Sequence, residues 1–288
     1  MKKRISVRKV VLLSAMAALL ILIVWTIWGN TALMVSAVTV SGSRIPAEFD
    51  GFRIAHVSDL HNAEFGEGNV KLLRLISETA PNIIVITGDL ADARHTDMDI
   101  ALGFVREAVR IAPVYYVTGN HEAALPQYGE LKSGLEAAGA VVLEDDAVRL
   151  EHNDSAITII GLSDPDFTIK GNGMFHEAPA MVSAKLKSLM EEEGGYTVLL
   201  SHRPELFDAY VRCGVDLVLS GHTHGGQFRL PMIGGVIAPN QGLFPKYDAG
   251  VYTSGGTSMV VSRGLGNSII PIRFNNRPEV VLIELSAV

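Results

Sequence analysis

The chain contains almost no cysteine, because Cys213 is the only one among its 288 residues. An intramolecular disulfide or a cluster of thiolate ligands requires more than one cysteine, so the sequence excludes both. A metal ion bound by this protein would therefore need nitrogen and oxygen ligands. The sequence also has no internal repeat and no low-complexity segment.

Basic residues are scarce once the first nine positions are set aside. Five of the 24 Lys and Arg residues lie there, and the remaining 19 are outnumbered by 31 Asp and Glu residues. The rest of the chain therefore has a charge balance of −12. An acidic domain repels polyanions, so we expect no nucleic-acid partner.

Long apolar runs are also absent, with one exception near the N-terminus. Val10–Trp28 is a run of 19 uncharged residues. It follows five basic residues, which are Lys2, Lys3, Arg4, Arg8 and Lys9. About 20 helical residues suffice to cross a bilayer, and a positive flank favours a cytoplasmic N-terminus. The sequence thus predicts a cytoplasmic basic segment at 1–9 and a single-pass transmembrane signal anchor at 10–28, with the remainder outside the cytoplasm.

Two other interpretations of this run stay open. Val35-Ser36-Ala37 has the small residues that a signal peptidase accepts, so the run could be a cleaved signal peptide and the protein secreted. It could also be a buried helix of a soluble protein. Residues 29–50 are predicted to be a linker with some strand character, since Val35, Val38 and Val40 are β-branched.

From Phe52 onward, short apolar runs alternate with helical patterns, which predicts one domain at 51–288. The predicted strands are Phe52–Val57, Ile83–Thr87, Val114–Thr118, Ile157–Gly161, Val198–Ser201, Leu217–Ser220, Met259–Ser262 and Val280–Leu285. Helices are predicted after Asn69, around Leu102 to Val109, and over Pro204–Cys213, where Gly214 ends the helix. This alternation is typical of an α/β fold in which helices cover sheets.

Five of the predicted strands end in residues that can bind a metal ion or a phosphate. These residues are Asp59 and His61, Asp89, Asn120 with His121 and Glu122, His202, and finally His222 with His224. Ligands of open α/β sheets gather where the carboxyl ends of strands open into loops, so five separate loops could converge on one place. Neighbouring glycines let the backbone come close to a ligand.

The chemistry of seven of these side chains restricts the ion. Asp59, His61, Asp89, Asn120, His202, His222 and His224 offer carboxylate, amide and imidazole groups. This set suits Mn²⁺, Fe, Zn²⁺ or Co²⁺ and is too rich in imidazole for Ca²⁺ or Mg²⁺. Seven ligands exceed what one ion with room for a substrate can use, so we expect two divalent ions with Asp89 as the bridging carboxylate.

The same blocks, in the same order, resemble the five motifs of the calcineurin-like metallophosphoesterases. The blocks are Asp59-x-His61, Gly88-Asp89, Gly119-Asn120-His121-Glu122, His202 and Gly221-His222-x-His224. The resemblance is closest to the membrane-anchored or exported bacterial branch that contains the YkuE-like and YaeI-like phosphodiesterases. The segments 50–54, 263–266 and 277–279 also look similar to that branch.

The resemblance implies a four-layer sandwich of two mixed β-sheets flanked by helices. It implies that one metal is bound by Asp59, His61, Asp89 and His224, and the other by Asp89, Asn120, His202 and His222. It further implies that His121 is a catalytic histidine outside the ligand set, which protonates the leaving group or stabilises the phosphoryl charge. Asp92 stands where purple acid phosphatases have a tyrosine, so a tyrosinate-ligated ferric site is not expected.

The implied activity is a phosphodiesterase reaction in which hydroxide attacks phosphorus, since two metal ions lower the pKa of bound water from about 15.7 toward about 7. A membrane anchor favours a substrate at the membrane surface, such as a phospholipid, a lipid-linked sugar phosphate or a wall polymer. A phosphatase acting on soluble nucleotides and a non-catalytic metal-binding scaffold are the alternatives. The pattern does not predict an oligomeric state or the native metal pair.

Overall fold

A computed structural model describes residues 6–169, 175–192, 195–267 and 269–288. The helices are α1 (Val7–Thr31), α2 (Val70–Glu78), α3 (Met98–Ala108), α4 (Asn120–Ala124), α5 (Tyr128–Ala138), α6 (Ala178–Glu192) and α7 (Phe207–Cys213). The longer strands are β1 (Met34–Gly42), β2 (Arg53–Val57), β3 (Ile83–Thr87), β4 (Val114–Val117), β6 (Asp146–His152), β7 (Ser155–Gly161), β8 (Thr197–Leu200), β9 (Leu217–Ser220), β14 (Gly250–Ser254), β15 (Thr257–Val261) and β16 (Glu279–Ala287). Five two-residue strands complete the set: β5 (Val141–Val142), β10 (Arg229–Leu230), β11 (Gly234–Gly235), β12 (Ile237–Ala238) and β13 (Gly242–Leu243).

Two six-stranded mixed sheets form the centre of the domain. Sheet A has the strand order β1-β16-β2-β3-β4-β5, and sheet B has the order β14-β15-β9-β8-β7-β6. β2, β3 and β4 run parallel to one another, as do β7, β8, β9 and β15. Their carboxyl ends therefore open toward one edge of each sheet. Every residue of β3 is buried, as expected for a parallel strand covered on both faces.

The core consists of three layers of packed side chains. Alternate residues of the two sheets meet in the middle layer, among them Ile54 and Val85 from sheet A and Val198 and Leu219 from sheet B. The opposite face of sheet A packs on α2, α3 and α5, and that of sheet B packs on α6 and α7. The predicted four-layer sandwich is confirmed.

All eight predicted strands are present, with bounds that differ from the prediction by no more than two residues. Pro204 begins a 3-10 turn that continues into α7, and Gly214 ends this helix in the left-handed region at φ 78°. Asn69 does precede α2, but its side-chain Oδ1 accepts from the backbone N–H of Phe65 instead of from a helix N–H.

The predicted linker at 29–50 contains β1, which pairs in parallel with β16 over nine residues at the edge of sheet A. The strand character of Val35, Val38 and Val40 is therefore real, and this segment is part of the sheet. The alternating apolar pattern is weak there because β1 is an edge strand with only Val40 fully buried.

The apolar run forms α1, whose side chains are almost all exposed. It has 25 residues, and its most apolar 18-residue stretch has a mean hydropathy of 2.8, so the helix is long and apolar enough to cross a membrane. A buried helix of a soluble domain would pack against other elements, whereas only Gly29 of α1 is buried. Three of the five preceding basic residues, Lys2, Lys3 and Arg4, lie outside the described residues.

Candidate metal centre

The loops that follow β2, β3, β4, β8 and β9 meet at one edge of the two sheets. They bring together all eight predicted site residues: Asp59, His61, Asp89, Asn120, His121, His202, His222 and His224. All of these except the partly exposed Asn120 are buried. Their roles as ligands or catalytic groups stay predictions, but the spatial convergence that those roles require is present.

The first group of donors is Asp59, His61 and His224. One donor atom from each lies within 4.8 Å of the others. His61 Nε2 is 3.3 Å from His224 Nε2 and 3.9 Å from Asp59 Oδ1, and His224 Nε2 is 3.6 Å from the same oxygen. The two imidazoles are nearly stacked, at 26° between ring planes. Three donors facing one small volume match one half of the expected ligand division.

The second group comprises Asp89, His202 and His222, again with donor atoms within 4.8 Å of one another. His202 Nε2 lies 3.2 Å from His222 Nδ1 and 3.3 Å from Asp89 Oδ2. Asn120 Oδ1 is 3.2 Å from the same nitrogen of His202. These four residues are those that the family resemblance assigns to the second metal.

Asp89 lies between the two groups. Its Oδ2 is 3.5 Å from His61 Nε2 in the first group and 3.3 Å from His202 Nε2 in the second. Its other oxygen, Oδ1, accepts the backbone N–H of His121 at 2.8 Å, which fixes the orientation of the carboxylate. A single carboxylate in this position is what a bridging ligand of two ions requires.

The tautomer of His202 indicates that a cation fits the second group. Its Nδ1 donates to the backbone carbonyl of Thr87 at 2.7 Å, so a neutral ring presents a bare Nε2 toward Asp89 and Asn120 Oδ1, which are acceptors. Burial alone would lower the pKa of His202, but the charge and hydrogen bond of Asp89, together with the charges of Asp59 and Asp164, raise the pKa to about 10. A metal ion would satisfy His202 Nε2, Asp89 and Asn120 Oδ1 together.

The two buried carboxylates differ in their environment. Burial raises the pKa of Asp59, and the charge of Asp89 adds to this effect. Burial would also raise the pKa of Asp89, but the charge of His202 and its hydrogen bond, followed by His61, hold it well below its usual value. Positive charge stabilises the ionised form of such buried carboxylates, and divalent ions bound by the donor set would supply it.

Five of the eight site residues adopt the left-handed backbone region, although none is glycine. Their φ angles are 54° for Asp59, 46° for His61, 50° for Asp89, 68° for His222 and 48° for His224. Such conformations cost about 1–3 kcal/mol each and persist where the surroundings impose them, commonly at functional sites. The strand-end loops are therefore strained in order to turn these side chains inward.

Glu122 connects the loops that follow β3 and β4. Its carboxylate accepts four backbone N–H groups, from Gly119, Asp89, Leu90 and Ala91, at 2.7 to 3.1 Å. Burial and then the charge of Asp89 raise its pKa to about 7. The Glu122 side chain thus binds backbone amides of both loops. It thereby holds the backbone of Asp89.

Asp92, in contrast, lies beside two histidines of the site. Its Oδ2 is 3.5 Å from His61 Nδ1 and 3.7 Å from His121 Nδ1. The ring of His61 therefore has a carboxylate behind it while Nε2 faces the donor cluster, an arrangement common around metal-binding histidines. His121 Nδ1 also accepts the backbone N–H of Ala93 at 3.1 Å, so its neutral ring carries the proton on Nε2.

Two fully buried arginines stand behind the histidine pair. Arg203 Nη1 is 3.1 Å from His222 Nε2, and Arg273 Nη2 is 3.3 Å from His224 Nδ1. Arg203 is held by a bidentate ion pair with buried Asp164, at 2.6 and 2.8 Å. Their depth and partners give both arginines a structural role. No motif in the sequence marked Asp164 as the partner, because the pairing spans 39 residues.

The fold and these paired donor groups define a four-layer α/β metallohydrolase of the phosphoesterase type. A family model for calcineurin-like phosphoesterases matches residues 52–226. The chain belongs to this family.

Individual relatives agree with this assignment. The uncharacterized metallophosphoesterase YkuE of Bacillus subtilis (strain 168) is 32% identical over 254 residues, covering 86% of this chain and 84% of YkuE. The phosphodiesterase YaeI of Escherichia coli (strain K12) is 28% identical over 248 residues, covering 81% of this chain and 82% of YaeI. Among solved structures, TT1561 of Thermus thermophilus matches with a TM-score of 0.52 and 16% identity over 74% of this chain and 90% of that one, a likeness of fold.

Proposed function

We propose that this protein is a phosphodiesterase that requires two divalent metal ions, selected from Mn²⁺, Zn²⁺, Fe and Co²⁺. Asp59, His61, Asp89 and His224 would hold one ion, and Asp89, Asn120, His202 and His222 the other. The observation that carries this proposal is the position of Asp89 Oδ2, within 3.5 Å of a histidine nitrogen from each donor group. The name of the relative YaeI supports the diesterase activity.

When bound, the two metal ions would neutralise the phosphate oxygens and make water nucleophilic at neutral pH. The residues of the chain position that chemistry. Asp89 is oriented by the backbone of His121, and His61 by Asp92. His121 donates through Nε2–H to a phosphoryl or leaving oxygen, because Ala93 N–H already occupies Nδ1.

The substrate in this proposal is a phosphoester at the outer face of a bacterial cytoplasmic membrane, either a lipid or a wall polymer. The support is α1, which is long and apolar enough to serve as a single-pass anchor. The basic residues that precede it favour a cytoplasmic N-terminus and an extracytoplasmic domain. Protease treatment of intact cells tests this orientation, since cleavage of the domain only after lysis would contradict it.

Asp89→Asn tests the metal assignment. The amide keeps the shape but removes the negative charge between the two donor groups, so bound metal and hydrolysis of bis-p-nitrophenyl phosphate should both fall by more than tenfold. Asp208→Asn, an exposed position on α7, is the matched control and should change neither. Full activity in Asp89→Asn would remove the bridging role.

A panel of phosphoesters tests the substrate class. Lipid, wall-polymer and soluble nucleotide esters are supplied side by side to the metal-loaded full-length protein. We expect the highest kcat/KM for a lipid or wall ester. A soluble nucleotide turned over far faster than both would replace the proposed substrate, and stoichiometric metal without turnover of any ester would indicate a binding protein.

A further inference from the structure

An apolar cavity of about 270 Å³ opens directly beside the metal centre. One wall is His224, a residue of the first donor group, together with Thr223 and Gln227. The remaining wall is apolar and consists of Ile237, Ala238, Pro239, Ile269 and Ile270. A phosphate at the metal centre would thus have a hydrocarbon-lined space as its immediate neighbour.

The apolar wall is held in place by hydrogen bonds. Gln227 Nε2 donates to the carbonyls of Ile270 and Ile272 at 2.8 and 2.7 Å. Its own backbone N–H donates to the carbonyl of His224 at 3.0 Å. The segment 269–272 is therefore tied to the same turn that carries the histidine, which gives the cavity a fixed shape next to the site.

Both loops that form the apolar wall also expose large apolar side chains at the surface. In segment 269–272, Ile269 is 78% exposed and Ile272 is 47% exposed. In the loop 230–244, Met232, Leu243 and Phe244 are each more than 60% exposed. Five exposed large apolar side chains on the two loops that line one cavity suit a contact with a membrane or another apolar partner.

The anchoring helix ends on the same segment. Asn30, in the last turn of α1, accepts from the backbone N–H of Arg273 at 2.8 Å and donates to its carbonyl at 2.9 Å. The guanidinium of Arg277 lies 4.8 Å from the ring centre of Trp28 and donates to the carbonyl of Ala32. Hydrogen bonds thus join the end of α1 to the segment that follows Ile269 and Ile272.

This contact between α1 and the domain bears on where the cavity would lie relative to a bilayer. Trp residues of membrane helices concentrate at the interface with water, and Trp28 is near the domain end of α1. Arg277, stacked on Trp28, would lie at that depth, and segment 269–272 is a few residues away in the same loop. In this arrangement the exposed isoleucines would lie near the layer from which hydrocarbon chains could enter the cavity.

We infer that this cavity is a subsite for the hydrocarbon chain of a membrane-borne phosphoester, whose phosphate is presented to the metal centre beside His224. The inference rests on the proposed phosphodiesterase function and adds to it that the substrate is a lipid, with its chain close to the reacting phosphate. A wall polymer would have no use for an apolar subsite in this position.

The first test compares two diesters with the same leaving group, p-nitrophenyl hexadecyl phosphate and p-nitrophenyl methyl phosphate, using the full-length protein in phosphatidylglycerol vesicles. Each buried methylene can contribute up to roughly fourfold, so we expect kcat/KM at least tenfold higher for the hexadecyl ester. The double variant Ile237→Ser/Ile269→Ser should lose at least three quarters of this preference while its rate with the methyl ester stays within twofold.

Val251→Ser, which alters an exposed residue on β14 outside the cavity, is the matched control and should keep the wild-type preference. Because partitioning into the vesicles is common to all variants, the ratio of the two rates reports on the cavity. An unchanged preference in the double variant overturns the subsite. Turnover of the methyl ester without any chain preference also overturns it but leaves the phosphodiesterase function intact.

The second test does not depend on activity. Vesicles containing a phosphatidylglycerol with a diazirine near the end of one acyl chain are irradiated with the EDTA-treated protein, and labelled peptides are identified by mass spectrometry. We expect labels on the peptides that contain Ile237 and Ile269, and a marked loss of both labels in Ile237→Ser/Ile269→Ser. Labels confined to α1 would contradict the subsite even if every ester were hydrolysed.

Discussion

Glu122 accepts the backbone N–H of Asp89 at 2.8 Å and thereby fixes the residue that lies between the two donor groups. The same carboxylate accepts three further N–H groups from the loops after β3 and β4. Both loops carry predicted ligands. The Glu122 carboxylate binds only the backbone of these loops, and it thereby sets the spacing between the ligands. Glu122 is therefore a positioning residue.

Glu122→Gln is expected to weaken metal binding. The amide NH₂ would face backbone N–H donors, leaving buried groups unpaired at a cost of about 1–3 kcal/mol in the free energy of unfolding. Displacement of the Asp89 loop should lower metal affinity by roughly 10-fold to 100-fold. Competition with a fluorescent chelator measures the affinity, and pulse proteolysis in urea measures the stability.

The exposed Glu130→Gln on α5 is the control for this prediction and should leave both quantities unchanged. A Glu122→Gln protein with wild-type metal affinity would show that the backbone of Asp89 does not need this carboxylate.

His121→Ala should separate rate from metal content. The side chain is not a member of either predicted ligand set, so bound metal should remain stoichiometric, while loss of the Nε2–H donor should reduce kcat by roughly 10²-fold to 10⁴-fold. Elemental analysis and hydrolysis of bis-p-nitrophenyl phosphate are measured on the same preparation. His152→Ala, in which the replaced ring packs on Phe49 and Phe52, should retain both. Loss of metal from His121→Ala would instead make His121 a ligand.

The glycine between Ser220 and His222 leads to a prediction from close packing. A Cβ at Gly221 would lie 1.8 Å from Ser58 Oγ and 2.4 Å from Asp59 Oδ2, so Gly221→Ala must displace the loop that carries Asp59. We expect a loss of metal affinity and a destabilisation of about 1–3 kcal/mol. Gly103→Ala on α3, where a Cβ meets nothing within 4 Å, should instead stabilise the domain by roughly 0.5–1 kcal/mol. Wild-type affinity in Gly221→Ala would mean that this contact does not constrain Asp59.

Much of this site could be predicted because its residues follow directly after apolar strands. A short motif such as His222-x-His224 is visible in sequence, and parallel strands guarantee that such motifs meet at one edge. The supporting contacts were not predictable in the same way. The Arg203–Asp164 pair and the bonds from Gln227 to segment 269–272 join positions 39 to 45 residues apart, in loops without periodicity.

The fold shows the same division. Buried parallel strands such as β3 have continuous apolar runs, which indicate their bounds closely. The edge strand β1 lies in a predicted linker that has little charge and only a weak strand pattern, and its place in sheet A depends on β16, more than 200 residues away. The segment 229–244 contains the two-residue strands β10 to β13, which are too short to give any periodic signal.

The burial of His56 leads to a prediction of how the stability of the domain depends on pH. It is fully buried, its Nε2 lies 2.8 Å from Thr87 Oγ1, and burial lowers its pKa to about 3. Since an unfolded histidine has a pKa of about 6.5, the unfolded chain takes up a proton below that pH that the folded chain does not. The stability from neutral His56 is thus fully present above about pH 6.5 and is lost as the pH falls toward 3.

Between pH 7 and pH 5 this loss should amount to about 2 kcal/mol of the free energy of unfolding. His56→Gln removes the titrating group. Between pH 7 and pH 5, in EDTA, the free energy of unfolding of this variant should therefore fall by about 2 kcal/mol less than that of the wild type. Pulse proteolysis in urea measures both values. Thr87→Val removes the hydroxyl partner but keeps the buried imidazole, and should retain the wild-type dependence. Glutamine does not take up a proton in this pH range. If His56→Gln and the wild type lose equal stability between pH 7 and pH 5, the acid sensitivity therefore does not come from His56.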